Sequence, residues 1–314
     1  MMRRIKYRLW PKKSFQIFFV AALLIALVCW VTQWPPETSF CFLSGAASVG
    51  TLGLFWKLCS EFDLIQPKVR MPALLLLFTH SIFIRGFAFP QSDAVLMLCI
   101  TSVLFLALIR YRRKAAWQLP IGVLLMTVGL LQKLSFLPAI ALFPLACVWR
   151  WRGRIHSISR IPAIFISELL TDTLVFTGLP LLLFYLFQSA FNTHDMYAHE
   201  LSQRSTQDST ILNVLEATLH SFIFLFPLAY LGRKCMNRTQ GLLLSWILFY
   251  LASLWIGQAS GWIRFYLVLI PPAVLLAGRG LEWIYEKWGI TIVWITVMLY
   301  SILNCLMFRW NLVF

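Results

Sequence analysis

The sequence predicts an all-α, polytopic integral membrane protein. It reads as one transmembrane domain over residues 1–314, with about eleven helices of membrane-crossing length and a cytoplasmic N-terminus. Three observations carry this. Hydrophobic residues make up 60 % of the chain and charged residues 12 %, against about 45–50 % and about 25 % in soluble domains. Apolar runs near the length of a bilayer crossing recur from end to end. The basic residues collect in alternate gaps between those runs. This composition excludes a soluble enzyme, a disordered chain and a secreted disulfide scaffold. The seven cysteines (Cys29, Cys41, Cys59, Cys99, Cys147, Cys235 and Cys305) form no CxxC pair. Most lie inside apolar runs and read as small buried hydrophobes.

The elements follow in order. The basic N-terminus MMRRIKYRLWPKK precedes an apolar run over 14–32. That order matches the first two regions of a signal peptide. The run is long for one, however, and QWPPETSF after it offers no small-residue cleavage site, so it reads as an uncleaved first membrane helix. A crossing needs about 20 mostly apolar residues. Further spans are expected at 39–57, 71–89, 93–110, 117–132, 135–149, 169–188, 219–232, 241–258, 264–279 and 289–307. The runs 135–149 and 219–232 are short, and tilting, re-entry or extension into their flanks would accommodate them. Residues 155–168 are expected to form an amphipathic helix at the interface. The longest extracytoplasmic loop, 188–218, is polar and carries Asp195, Glu200, Arg204, Asp208 and Glu216. Loops of this length commonly cover a site or receive a partner. No internal repeat is visible.

Alternating the sides of these spans places all but five of the 27 Lys and Arg residues in the cytoplasm, as the positive-inside bias requires. The net charge of +15 is thus a matter of topology. The five exceptions are Arg85, Lys133, Arg204, Arg264 and Arg309. Arg85, Lys133 and Arg264 sit at the outer ends of apolar helices. Charge is costly there unless it is paired or functional. Snorkelling to lipid headgroups accounts for any one of them, whereas three at one membrane level point to an outward-facing anion site.

The chain has no GxxxxGK[ST], no GxGxxG after a strand, no GxSxG and no HExxH, so an ATP-driven pump is not expected. His194 and His199 are five apart, which is not the three or four that one helix face needs for a metal site. His80 reads as a packed helix residue. Asn237-Arg238-Thr239 matches a glycosylation sequon, but it falls on the cytoplasmic side and reads as chance. Outer carboxylates are few: Glu37 after Pro35-Pro36, Asp93 in FAFPQSDAV, and those of the long loop. Asp93 after Pro90 fits a helix N-cap, stabilising by about 1 kcal/mol. It also fits, with Glu37, a site lined by Arg85, Lys133 and Arg264. There a carboxylate can accept a proton from a hydroxyl nucleophile, while the cations stabilise a phosphate leaving group.

The stretches RGFAFPQSDAVLMLCITSVLFLALIRYRRKAAW and GVLLMTVGLLQKLSFLPAIALFPLACVWRWR resemble the middle of a GT-C membrane glycosyltransferase. In that superfamily a Pro ends one helix on the outer side and an acidic residue often starts the next. A basic cytoplasmic turn follows, and the next helix ends in a pair like Gln132-Lys133. WIRFYLVLIPPAVLLAGRGLEWI is similar to the family's late helix, and PPETSFCFLSGAASVGTL to the segment after its first outer loop. The resemblance covers residues 35–285 and is carried by short, apolar motifs. Its nearest kinds are the dolichyl-phosphate-mannose mannosyltransferases and the aminoarabinose transferases. It implies sugar transfer from a polyprenyl-phosphate donor to an extracytoplasmic lipid, glycan or protein acceptor, with no cofactor and no divalent metal. It implies that Lys133 and Arg264 approach the lipid phosphate and that Asp93 helps to build the site. The chain departs from the family in its first outer loop. Family members carry an acidic motif in a large loop there, whereas here the loop is QWPPET and Glu37 is its only acid. Glu37 takes that role, or the acid comes from elsewhere, or the chain is inactive.

Two other classes remain open. A transporter or flippase of a lipid-linked or anionic solute would use the same cations without forming a bond. A catalytically inactive membrane subunit would explain the short first loop. The basic residues are divided among separate turns and carry no recognition motif, so nucleic acid is not an expected partner. The 14 Trp and 26 Phe suit lipid-facing surfaces and interfacial belts. The compact chain without a retention tail points to a bacterial inner membrane.

Overall fold

The computed structural model describes residues 36–81, 83–84, 93–112, 117–132, 134–152, 162–187, 218, 222–256 and 263–311. Among these residues the regular structure is all helical. The α-helices are α1 (Pro36–Glu61), α2 (Arg70–Phe78), α3 (Asp93–Arg112), α4 (Gln118–Gln132), α5 (Leu142–Trp151), α6 (Ala163–Thr173), α7 (Leu179–Phe187), α8 (Leu225–Leu231), α9 (Arg238–Ile256) and α10 (Ile270–Asn311). Three stretches are long and apolar enough to cross a membrane: Ala94–Arg112, Ala163–Phe187 and Tyr266–Asn304. They mark the chain as a membrane protein. The expected first span, 14–32, lies outside the described residues.

The core is a continuous apolar cluster running from α1 through α3 and α5 to α10, with Trp246, Tyr250, Phe55 and Phe143 among its largest buried side chains. Helices α1 and α3 run parallel. Gly50 sits against Leu98, and Phe62 packs edge-on to Phe105 with ring centroids 5.8 Å apart. The antiparallel α2 contacts α1 and α10. Gly122 and Gly129 on α4 leave room for the rings of Phe176 and Phe136, and Phe176 stacks on Phe143 at 3.7 Å.

Several expected boundaries are corrected. The expected span 71–89 breaks early, because α2 ends at Phe78 and residues 79–80 are not helical. The run 135–149 enters as a 3-10 helix, Leu134–Ala141, around Pro138 before α5 begins. Proline removes an N–H and blocks the preceding turn. Of the amphipathic helix expected at 155–168, residues 155–161 lie outside the described residues. Residues 163–168 open a longer helical stretch that continues through a π-turn, Leu174–Gly178, into α7. That stretch exposes Ile164, Leu170, Leu174, Leu182 and Tyr185, an apolar outer face suited to lipid.

The last two expected spans, 264–279 and 289–307, are joined differently from expectation. Residues 280–288 are helical, and the chain turns back at Gly289, with φ 82° and ψ 177°. Tyr266 packs on Phe222 and Tyr300 on Phe224. A straight helix would set Tyr266 and Tyr300 about 50 Å apart at 1.5 Å per residue, so α10 is a helical hairpin with limbs 270–288 and 290–311. Gly280 and Gly232 let α8 close onto this hairpin backbone to backbone. A Cβ on Gly280 would lie 1.9 Å from the carbonyl oxygen of Leu228.

Candidate functional site

The turns that alternate topology assigns to one side converge at one end of the bundle. Arg112 donates to the carbonyls of Glu61 at 3.1 Å and Phe62 at 2.9 Å. The Gln240 side chain donates to the Leu64 carbonyl at 3.1 Å, and Arg279 to the Asp63 carbonyl at 3.3 Å. Buried Glu282 accepts from the Gln66 backbone N–H and from Arg279. Gln66 also donates to Glu286 at 2.9 Å, and Lys68 to the Tyr285 hydroxyl at 2.7 Å. That last bond holds the Lys68 ammonium above its ordinary pKa, so it stays charged. A second cluster adjoins: Arg110 pairs with Asp172, Arg150 with Glu168, and the Trp151 indole donates to Glu168 at 2.7 Å. These charges tie together elements distant in sequence. Arg110 with Asp172, Arg150 with Glu168 and Arg279 with Glu282 are the ion pairs among them, and such pairing offsets the cost of burying charge.

Of the residues expected to carry chemistry, Glu37, Asp93 and Arg264 lie away from this basic end. Arg85 and Lys133 fall outside the described residues, as do residues 188–217 of the long loop with His194 and His199. Glu37, Asp93 and Arg264 are described by their backbone alone. Glu37 is the second residue of α1 and Asp93 the first of α3. Both occupy helix first turns, where the helix dipole favours a carboxylate. Arg264 lies in the 3-10 helix Ile263–Leu269, which packs against α3. The α1–α3 register sets Glu37 roughly 12 Å farther from the basic end than Asp93, at 1.5 Å per residue over an eight-residue offset. The far end of the loop is anchored, since buried Thr218 donates to the Tyr266 hydroxyl at 2.9 Å.

Beside the α2 break lies a polar set facing the return limb of α10. The Thr79 and Ser301 hydroxyls meet at 2.9 Å. His80 is buried with its ring 6.5 Å from that of Tyr300, and buried Asn304 donates to the Tyr300 carbonyl at 3.1 Å. Polar side chains at this depth are expensive, and in membrane proteins they commonly serve packing or function.

Asp172 and Glu282 were not singled out in the sequence. A lone acid inside an apolar span is itself a signal of a buried cationic partner, and Asp172 satisfies it. Asn237 has a structural role. Its Oδ1 accepts from the Gln240 N–H at 2.9 Å, while the Gln240 side chain accepts from the Asn237 N–H at 2.8 Å. That is a reciprocal capping box at the start of α9. Cys59, Cys99 and Cys147 are buried. Among the described residues no three of His, Cys, Asp and Glu gather as a metal-ion set. No protein-family model, no curated protein and no solved structure matches this chain.

Proposed function

We propose that the chain is a GT-C-like glycosyltransferase with about eleven membrane spans and a cytoplasmic N-terminus, in a bacterial inner membrane. It moves a sugar from a polyprenyl-phosphate donor to an extracytoplasmic lipid, glycan or protein acceptor. The observation that supports this reading best is the packing of Ile263–Leu269, which carries Arg264, against α3, which opens with Asp93. Two residues that the sequence resemblance marks thus belong to touching elements, away from the basic end. In this reading Glu37 or Asp93 is the general base, and Arg85, Lys133 and Arg264 attract the donor phosphate. The donor carries no nucleotide, which agrees with the missing nucleotide motifs.

The test is a mass profile of envelope glycans and lipid-linked sugars in a strain lacking the gene. It is complemented with wild type, Glu37→Gln and Asp93→Asn, each checked for membrane insertion. Loss of one sugar, restored by wild type and not by one of the carboxylate variants, is the expected result. An unchanged profile, or full rescue by both variants, refutes the mechanism. A second reading is a non-catalytic membrane subunit. It draws on the position of Glu37 in the first turn of α1, where a carboxylate is stabilising without chemistry. Stable co-purification with an envelope enzyme, together with an unchanged sugar profile, would favour it.

A further inference from the structure

At the basic end most of the carboxylates are engaged, Glu61 excepted. Asp172, Glu168 and Glu282 are ion-paired, Asp63 lies 3.8 Å from Arg70, and Glu286 accepts from Gln66. Besides Arg112, Arg152 and Arg238, three exposed cations there have no carboxylate partner among the described residues: Lys68, Arg233 and Lys287. Each lies over an aromatic ring instead. Lys68 is 5.3 Å from the Tyr285 centroid, and Arg233 is 3.5 Å from that of Tyr230. Lys287 is 4.9 Å from Trp283 and 5.1 Å from Trp288. A ring face holds a cation without neutralising it, so the positive charge remains available to an external anion.

The position of these cations selects the anion. Lys287 stands two residues before the turn at Gly289. Immediately beyond the turn the return limb exposes Ile290, Ile292, Trp294, Ile295, Met298 and Leu299. In a membrane protein, exposed apolar surface of that extent suits hydrocarbon. Lys68 reaches the first limb close to its tip through Tyr285, and Arg233 lies farther back along it, following Gly232, which touches the backbone of Arg279 and Gly280. The occupant that fits both therefore presents an anionic group along the first limb and acyl chains beside the return limb.

We propose that the first limb of the α10 hairpin from Arg279 to its tip, with Lys68, Arg233 and Lys287 held over Tyr285, Tyr230 and the Trp283–Trp288 pair, binds the headgroups of anionic phospholipids. This rests on the membrane-embedded reading of the chain and not on its enzymatic activity. It gives the hairpin an electrostatic anchor that sets its depth in the bilayer.

The test uses the purified full chain in nanodiscs of phosphatidylcholine alone and of phosphatidylcholine mixed with phosphatidylglycerol. Lipids retained after release into detergent are counted by native mass spectrometry. Wild type is expected to retain phosphatidylglycerol in preference to phosphatidylcholine. Lys68→Gln, Arg233→Gln and Lys287→Gln should each weaken that preference by about fivefold, and the triple variant should abolish it. Lys68→Arg with Lys287→Arg keeps the charge and should keep the preference, which separates lost charge from misfolding. Equal retention of both lipids by wild type, or a folded triple variant that still prefers phosphatidylglycerol, overturns the proposal. Displacement of the lipid by inorganic phosphate at constant ionic strength also overturns it, because the occupant would then be a free anion. A chain that enters neither kind of disc refutes the membrane reading itself, a separate outcome.

Discussion

Replacing Asp172 with Ala removes the partner of a guanidinium that has almost no contact with solvent. The Arg110 and Asp172 side chains are 7 % and 2 % exposed. Arg110 Nε lies 3.0 Å from the carboxylate, and an effective dielectric of about 20 gives an attraction of about 5 kcal/mol at that distance. Most of it offsets the cost of taking both ions out of water. Breaking such a pair from one side costs about 3–5 kcal/mol, because the remaining charge stays buried. Arg110 would keep only the face of Phe176, 5.1 Å away. Removing both charges with Arg110→Met and Asp172→Leu should return stability to near wild type, since apolar replacements of similar volume are tolerated. The assay is the midpoint of heat-induced loss of the monodisperse peak in size-exclusion chromatography, in one detergent. Asp172→Ala should lower it by on the order of 10 °C, and the double variant should recover most of that. A single variant at the wild-type midpoint, or a double variant as low as the single, would refute the argument that the pair holds α6 to α3 at a net cost once broken.

Two glycines near the hairpin separate lack of space from backbone strain. Gly280→Ala puts a Cβ into the Leu228 carbonyl. It should destabilise by about 1–3 kcal/mol or more, as overpacking against rigid atoms does. Gly289 has open space around it but φ 82° and ψ 177°. Gly289→Ala and Gly289→Asn should therefore both cost about 1–3 kcal/mol, with no rescue by Asn, because only glycine adopts that region readily. Gly53→Ala, helical and open, serves as the control and should be neutral or stabilising; a similar loss there would discredit both readings. Asn237→Ala should lower the same midpoint by the equivalent of about 1 kcal/mol, while Asn237→Ser, another good N-cap, should not.

The helical class and the sorting of turns to one end were legible because they follow from averages. Apolar content decides the solvent, and counts of Lys and Arg survive errors of a few residues at any boundary. Arg110, Arg112, Arg150 and Arg279 do meet the turns with which the alternating topology grouped them. What the averages hide is pairing at a distance. Gln66 finds Glu282 and Glu286 across more than two hundred residues, and no local pattern announces it. The break after Phe78 was hidden for a related reason. The segment 71–84 is apolar apart from Thr79, His80 and Ser81, and a window mean over it stays high enough that hydropathy does not register two residues leaving the helix. Asn237 shows the opposite failure: Asn-x-x-Gln before an apolar run is a readable cap, obscured here by the coincident sequon. At the expected site, the sequence yields residue types and order, and the register of α1 against α3 adds what it could not, an offset between Glu37 and Asp93.

That offset bears on how a transferase of this kind would work. At the basic end the buried polar groups are occupied with one another, and a ligand entering there would have to break bonds that hold the bundle together. On the proposed reading, chemistry would belong at the opposite end, where Asp93 opens α3 and the 3-10 helix bearing Arg264 leans on it. Carboxylates whose backbones differ in level by roughly 12 Å do not share one proton or act as a close acid–base pair, which needs hydrogen-bond reach to the same group. If both contribute, they contribute at different points of an elongated substrate, one at the reacting hydroxyl and one nearer the membrane, where the cations meet the lipid phosphate. The two single variants should then differ in kind. One would abolish turnover with donor still bound, and the other would weaken donor binding, seen as a raised KM. Identical defects from both would mean that the helix starts are structural and that the base lies elsewhere in the chain.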